Sequence, residues 1–336
     1  MKTNPPSTKH GIQTLWPWLL ALLGVFVVHF VITGNMNPYF FTILMYAGIN
    51  AILASSLNLV SGFTGQFSMG HAGFMSCGGY FSAYITSLIA TSHPDLLTDP
   101  VMGPIVFGGV LIAAGIFAAI MGYVVGLPSL RLKGDYLAIV TLGFGEIIRV
   151  IVLNVDAIGG ARGMAGIPAL ANFAWVYGIL VVTLFVIWRL IHSQQGRAFL
   201  AVREDEIAAE SMGVNTTSAK VRAFATGAFF AGVSGALFAH YLRYLNPQTF
   251  DFNRSFEVII MVVLGGLGSL TGSVVAAVFL TILKELLRPL QELTKLDFRM
   301  VIYAVLLIVL MLTRPNGLFG TKEITSYFKK RKGDRV

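Results

Sequence analysis

The sequence predicts an all-α fold, a polytopic transmembrane helical bundle of about ten spans, and three observations predict it. Charged residues are 12% of the 336 positions, about half the ~25% of a soluble domain, too few to solvate a water-soluble body of this size. Apolar residues, 55% of the chain, gather in blocks long enough to cross a hydrocarbon core of about 30 Å as helices, and mean hydropathy is +0.75. Lysine and arginine are spread unevenly over the segments joining the blocks, the pattern of a protein oriented by a positive inner side. Lipid offers the backbone no hydrogen-bond partner, so only helices or closed barrels cross it. These blocks are too long, and too rich in Leu, Ala, Gly and Met, for the roughly ten-residue alternating strands of a barrel.

The first block, residues 15–32, follows Lys2, Lys9 and His10. It is longer than a signal-peptide core of about 7–15 residues, and Thr33-Gly34-Asn35 is no small-x-small cleavage site, so it is expected to be a retained span. Residues 39–60, 69–90, 105–126, 136–153, 173–191 and 221–243 supply the next six. Residues 256–287 form one nearly continuous apolar run. As a single helix it would be about 48 Å long, against a core of about 30 Å. Its middle reads GGLGSLTG (265–272), and a glycine cluster breaks a helix, so two short spans, 256–267 and 269–287, are expected. Residues 299–313 make the tenth.

Parity agrees. The tail 321–336 carries six Lys/Arg against Glu323 and Asp334, which places it in the cytoplasm with the basic N-terminus; two ends on one side need an even number of crossings. With ten spans, the inner segments hold 13 Lys/Arg and the outer loops 4. The formal net charge of +8 then reflects topology, and no nucleic-acid partner is expected. Residues 61–68, an inner loop in this scheme, carry no charge. The whole chain, 1–336, reads as a single transmembrane domain, with its longest polar segment at 192–220. SGFTGQFSMG (61–70) and GGLGSLTG (265–272) both divide apolar segments in the same orientation, a faint internal echo. The one cysteine, Cys77, rules out an intrachain disulfide and, among small residues, reads as a packing position.

Enzymatic chemistry finds little footing. There is no GxxxxGK[ST] phosphate loop, and the six histidines are scattered rather than set at metal-ligand spacing, so no cofactor is expected in this chain. The segment GRAFLAVREDEIAAESMGVN (196–215) is the informative one. Glu204, Asp205, Glu206 and Glu210 fall in or near the first turns of a short helix, where carboxylates suit the positive end of the dipole. Ala208 and Ala209 are small enough for another protein to approach the backbone, and Gly213 is placed to end the helix at C′. A solvated loop helix would look the same on composition.

These residues carry a resemblance. Ala208-Ala209-x-x-x-Gly213, preceded by acids, resembles the EAA loop of ABC importer permeases, with Ile207 set between Glu206 and the alanines. NLVSGFTGQFSMGHAGF (58–74), LRLKGDYLAIVTLGFGEIIR (130–149), GRAFLAVREDEIAAESMG (196–213), AFFAGVSGALFAHYL (228–242), MVVLGGLGSLTG (261–272) and RPNGLFG (314–320) together resemble the LivM-type permeases of branched-chain amino acid ABC importers, in order over about 260 residues. The outer loop IGGARGMAGI (158–167) departs from that family's pattern by Ile158 and a changed ending. The resemblance implies a non-catalytic permease subunit of a bacterial inner-membrane importer. It implies a second homologous permease, two ATP-binding subunits holding ATP and Mg, and a periplasmic or extracellular substrate-binding protein. It also implies that 192–220 is a cytoplasmic coupling loop in which Glu204, Asp205, Glu206, Ala208, Ala209, Glu210 and Gly213 meet the ATPase.

For the substrate pathway the sequence offers the two glycine breaks, because broken backbone at membrane depth is tolerated only against protein or a water-filled cavity. Gln66, Ser68 and His71 mark the first, and Gly265, Gly266 and Gly268 the second. Glu146 and Arg149 stand i, i+3 on one face of the fifth span, either as a polar element of the pathway or as a structural pair; a satisfied core histidine is the competing reading for His71. His29, His240 and Glu257 read as interfacial or packing residues. Two other functions stay open. A secondary transporter would need a coupling carboxylate near the midplane, for which Glu146 is the one plausible residue; a scaffold subunit would have no use for paired glycine breaks.

Overall fold

The computed structural model describes residues 9–130 and 135–288, and in the last segment residues 301, 302, 305, 308, 309, 312, 313 and 317–320. The basic tail 321–336 lies outside them. The chain runs α1 (Lys9–Asn35), α2 (Pro38–Ser61), α3 (His71–Ser92), α4 (Pro94–Thr98), α5 (Met102–Ser129), α6 (Asp135–Asn154), α7 (Phe173–Ile191), α8 (Gln194–Glu204), α9 (Glu206–Ser211), α10 (Thr216–Leu242), α11 (Phe252–Gly265) and α12 (Leu270–Leu286). The described residues from 301 to 313 are helical. A two-residue ribbon pairs Met164 with Leu245 and Ala165 with Tyr244 in antiparallel register. The fold is therefore the expected helical membrane bundle.

Helix starts follow local chemistry. Asn37, Asn172, Ser193, Asp205, Asn215, Asp251 and Ser269 each accept a hydrogen bond from a backbone N–H of the first turn, filling donors that a helix leaves unpaired. Among the described residues, five helices, α2, α5, α6, α7 and α10, are long and apolar enough for a full crossing. The expected break in the eighth and ninth spans is present, because α11 and α12 have only 14 and 17 residues, about 21 and 26 Å of helix. Helix α11 begins four residues earlier than the hydropathy boundary at 256, which brings Arg254 into the helix.

Helix α10 is the axis of the bundle, packing on α2, α3 and α5. Small residues set the approach. A Cβ added at Gly78 would strike the Gly232 backbone, and one at Gly235 the Met75 carbonyl. In lipid, such close backbone contact is what holds helices together. Cys77 is buried in this interface region, as its small neighbours indicate.

Ring contacts fix the ends. Trp18 lies 6.1 Å from Trp188 and His29 lies 6.3 Å from Phe173, so α1 runs antiparallel to α7 and starts beside α8. At the far end of the chain, Leu318 N donates to Leu264 O at 2.9 Å and Phe319 N to Gly265 O at 3.3 Å, capping the last carbonyls of α11. Trp18, near the start of the described chain, and Leu318, near its end, thus both lie toward the end of the bundle that carries α8 and α9.

Candidate functional site

Within the polar segment 192–220, α8 and α9 are separate helices because Asp205 takes extended backbone (φ −157°) between them, and α10 already begins at Thr216. Its Oδ1 accepts from Ile207 N at 2.9 Å and Ala208 N at 3.0 Å. Gly213 ends α9 as anticipated. It has φ +82°, its N–H donates to Glu210 O at 2.9 Å, and Val214 N donates to Ala209 O at 3.0 Å, the paired bonds of a Schellman turn. Glu204 pairs with Arg203 at the end of α8.

The residues expected to meet a partner divide between two faces. Glu206 turns inward to Lys220 of α10 at 2.6 Å, the lysine being 8% exposed, and Ala209 is buried. Ala208, Glu210 and Gly213 face out. Two residues not anticipated join them: Ile207 is 70% exposed and Met212 84%. Neither lies in a helix long and apolar enough to cross a membrane.

The two glycine breaks meet directly beneath this helix pair. Asn58, fully buried, donates from Nδ2 to Ser269 O and Ser273 Oγ, both at 2.8 Å, and its Oδ1 accepts from Gly268 N at 2.9 Å. Arg203 Nη1 donates to Gly62 O at 3.1 Å, and its stem packs on Gly65, which has φ +70°. The uncharged loop 61–68 therefore takes its cation from α8. Gly265 abuts the Gly272 carbonyl, Gly266 turns at φ +113°, and Gly268 at φ +88° lies against the Arg203 guanidinium. Met69 N donates to Thr141 Oγ1 at 3.0 Å and Ala72 N to Ser255 Oγ at 3.3 Å, tying the start of α3 to α6 and α11. Gln66 and Ser68 are buried, and their side-chain polar atoms have no protein partner among the described residues.

Other singled-out residues separate from this site. His71 is buried with Nε2 at 2.7 Å from Ser56 Oγ. Glu146 and Arg149 close on each other at 2.7 Å with side chains 37% and 27% exposed. His29 and His240 pack as expected, the latter with Nδ1 2.9 Å from Pro168 O and its ring against Phe107. Glu257 is more than a packing residue: it binds Arg254 at 3.0 Å and Lys284 at 2.7 Å. Arg254 and Glu257 have the same i, i+3 spacing that drew attention to Glu146 and Arg149. Asn58 and Arg203 have no sequence signal beyond their places in the motifs at 58–74 and 196–215, and Lys220 none beyond its place in the polar segment 192–220.

Residues 39–311 match the family described as "Branched-chain amino acid transport system / permease component". The chain is 34% identical over 336 residues to the high-affinity branched-chain amino acid transport system permease protein LivM of Salmonella typhimurium, covering 90% of this chain and 74% of that one. The LivM protein of Escherichia coli is 34% identical over 305 residues, with 80% and 67% covered. The LivH permease protein of Escherichia coli is 25% identical over 299 residues, with 82% and 92% covered. No solved structure gives a significant match.

Proposed function

The chain belongs to the branched-chain amino acid transport permease family, and from that premise we propose that it is the translocating subunit of an ATP-driven importer, with α9 as its coupling helix. The observation that carries the reading is the outward face of α9. Ile207 and Met212 are 70% and 84% exposed at a polar end of the bundle, an apolar knob with no intramolecular cover and of a size that fits a groove in a partner. The helix behind them is held rigidly by the Asp205 cap, the Schellman turn and the Lys220 pair. A push on α9 reaches the breaks through Arg203, which touches Gly62 and lies against Gly268.

In this reading the α9 end faces the bacterial cytoplasm with both termini, and the two ATP-binding subunits hold ATP and Mg. Similarity to both LivM and LivH permeases of one organism supports pairing with a second, homologous permease. Branched-chain amino acids are the substrate the relatives name, delivered from outside by a binding protein. Glu146 is already neutralised by Arg149, which suits a structural pair better than a proton-coupling carboxylate.

Reconstitution tests the proposal. Met212→Glu together with Ile207→Asp should abolish ATP-driven leucine uptake and release the ATPase subunits during purification. Uptake that survives ATP depletion and collapses with a protonophore would favour secondary transport. A stable complex with no substrate-dependent ATP hydrolysis would favour a scaffold.

A further inference from the structure

At the end of the bundle that carries α8 and α9, the last turns of α7 and the start of α8 border a groove of about 490 Å³, lined by apolar Phe185, Val186 and Leu190 and by polar Arg189, Gln194 and Gln195. Its character changes along the chain. Phe185 and Val186 lie in a helix long and apolar enough for a full crossing, and Val182 and Val186, 40% and 36% exposed, show that protein leaves this face of α7 uncovered. Arg189 stands in the last turn of α7, and Gln194 and Gln195 open α8. The groove thus straddles the level at which hydrocarbon gives way to headgroups. Aromatic rings mark the same level: Trp18 lies 5.5 Å from Phe185 and 6.1 Å from Trp188, and tryptophan concentrates at that boundary.

The polar part of the groove has no counter-charge. No Asp or Glu lines it. Arg189 is exposed, and among the described residues no ion pair includes it. Carboxylates at this end are engaged elsewhere: Glu204 pairs with Arg203, Glu206 with Lys220, and Asp205 caps α9. Ser193 is engaged too, its hydroxyl donating to Leu190 O at 2.6 Å and accepting from Gly196 N at 3.3 Å. A cation in the last turn of a helix suits the dipole. That accounts for the charge of Arg189 and leaves the five N–H donors of its guanidinium unanswered.

We propose that this groove binds one phospholipid with an anionic headgroup. Its phosphate meets the Arg189 guanidinium and the side-chain amides of Gln194 and Gln195, and one acyl chain starts along Phe185 and Val186 on the uncovered face of α7. A free anion would use the arginine and leave the apolar wall bare. A lipid without net charge would use the wall and leave the charge of the arginine unmatched. The site lies where α7 passes into α8, and α8 holds Arg203 against Gly62 O. The lipid therefore steadies the helix that ties this end of the bundle to the first glycine break. The inference needs the chain to lie in a membrane and does not rest on ATP-driven import.

Native mass spectrometry of the full chain, purified with its associated subunits and stripped of lipid, tests the site. Phosphatidylglycerol should bind at a concentration about fivefold below phosphatidylcholine of the same acyl chains, the worth of one interfacial arginine. Arg189→Gln should erase that preference and leave phosphatidylcholine binding unchanged. Gln194→Glu, which sets a carboxylate in the groove, should do the same. Arg222→Gln, at an exposed cation of α10, should keep the preference. Millimolar inorganic phosphate should not displace the bound lipid. Equal affinity for the two lipids, a preference that survives either Arg189→Gln or Gln194→Glu, or an equal loss in Arg222→Gln would overturn the site. Displacement by phosphate would show a free-anion site and overturn the lipid assignment.

Discussion

Replacing Glu206 with lysine should detach α9 from the bundle without disturbing membrane insertion. The pair it breaks has Nζ and Oε1 2.6 Å apart, with Lys220 8% and Glu206 26% exposed. Removing one partner of a fully buried pair costs about 3–5 kcal/mol. Because Glu206 is a quarter exposed, solvent screening lowers the expectation to about 2 kcal/mol. At about 1.4 kcal/mol per factor of ten, that is a roughly 30-fold shift toward an undocked α9. The substituted lysine adds repulsion from Lys220, so the shift is a lower bound. Hydrogen exchange of the amides at 207–214 should accelerate by that factor, and ATP-driven uptake should fall while the protein still reaches the membrane, since α9 lies outside every span. The swapped pair, Glu206→Lys with Lys220→Glu, should recover most of both. Unchanged exchange and normal uptake in Glu206→Lys alone would refute the assignment of this pair as the anchor of α9.

Gly213→Val should cost about 1–2 kcal/mol through its left-handed backbone, since φ is +82° and the space around it is open; Gly213→Asn should be milder, and the ratio of uptake to ATP hydrolysis reads the difference. Asn58→Ala removes three buried hydrogen bonds, at about 1–3 kcal/mol for each group left unpaired, and should lower the detergent unfolding midpoint and speed exchange at 268–273. Arg203→Ala should loosen the same region less, losing a single bond to Gly62 O, with faster exchange at 62–66. Gly232→Leu should prevent folding, because the Gly78 and Ala118 side of α10 has no room, whereas Gly24→Leu on α1, with nothing near its Cβ, should be tolerated; trypsin resistance in detergent separates the two.

Much of the fold was legible because a membrane writes its constraint along the chain. Each crossing must be apolar over its own length, so hydropathy located α2, α5, α6, α7 and α10, and GGLGSLTG marked the division between α11 and α12. Parity predicts both ends of the chain on one side; the described contacts of Trp18 and Leu318 both fall toward one end of the bundle, while the basic tail 321–336 lies outside the described residues. Local backbone rules were equally readable: Gly213 stands where a C′ glycine is needed, and Asp205 beside the first turn of α9. What the sequence could not express is which side chain answers which across the bundle. Glu206 looked like part of an acidic docking surface until Lys220, fourteen positions away, turned it inward. The loop 61–68 looked like an inner loop without its charge until α8 supplied Arg203. Glu257 passed for a packing residue because its cations lie three and twenty-seven positions off, on two helices joined at a break. Composition and periodicity are properties of a segment, and a single chain shows them. Pairing of buried polar groups is a property of packed neighbours, and only the tertiary structure decided it.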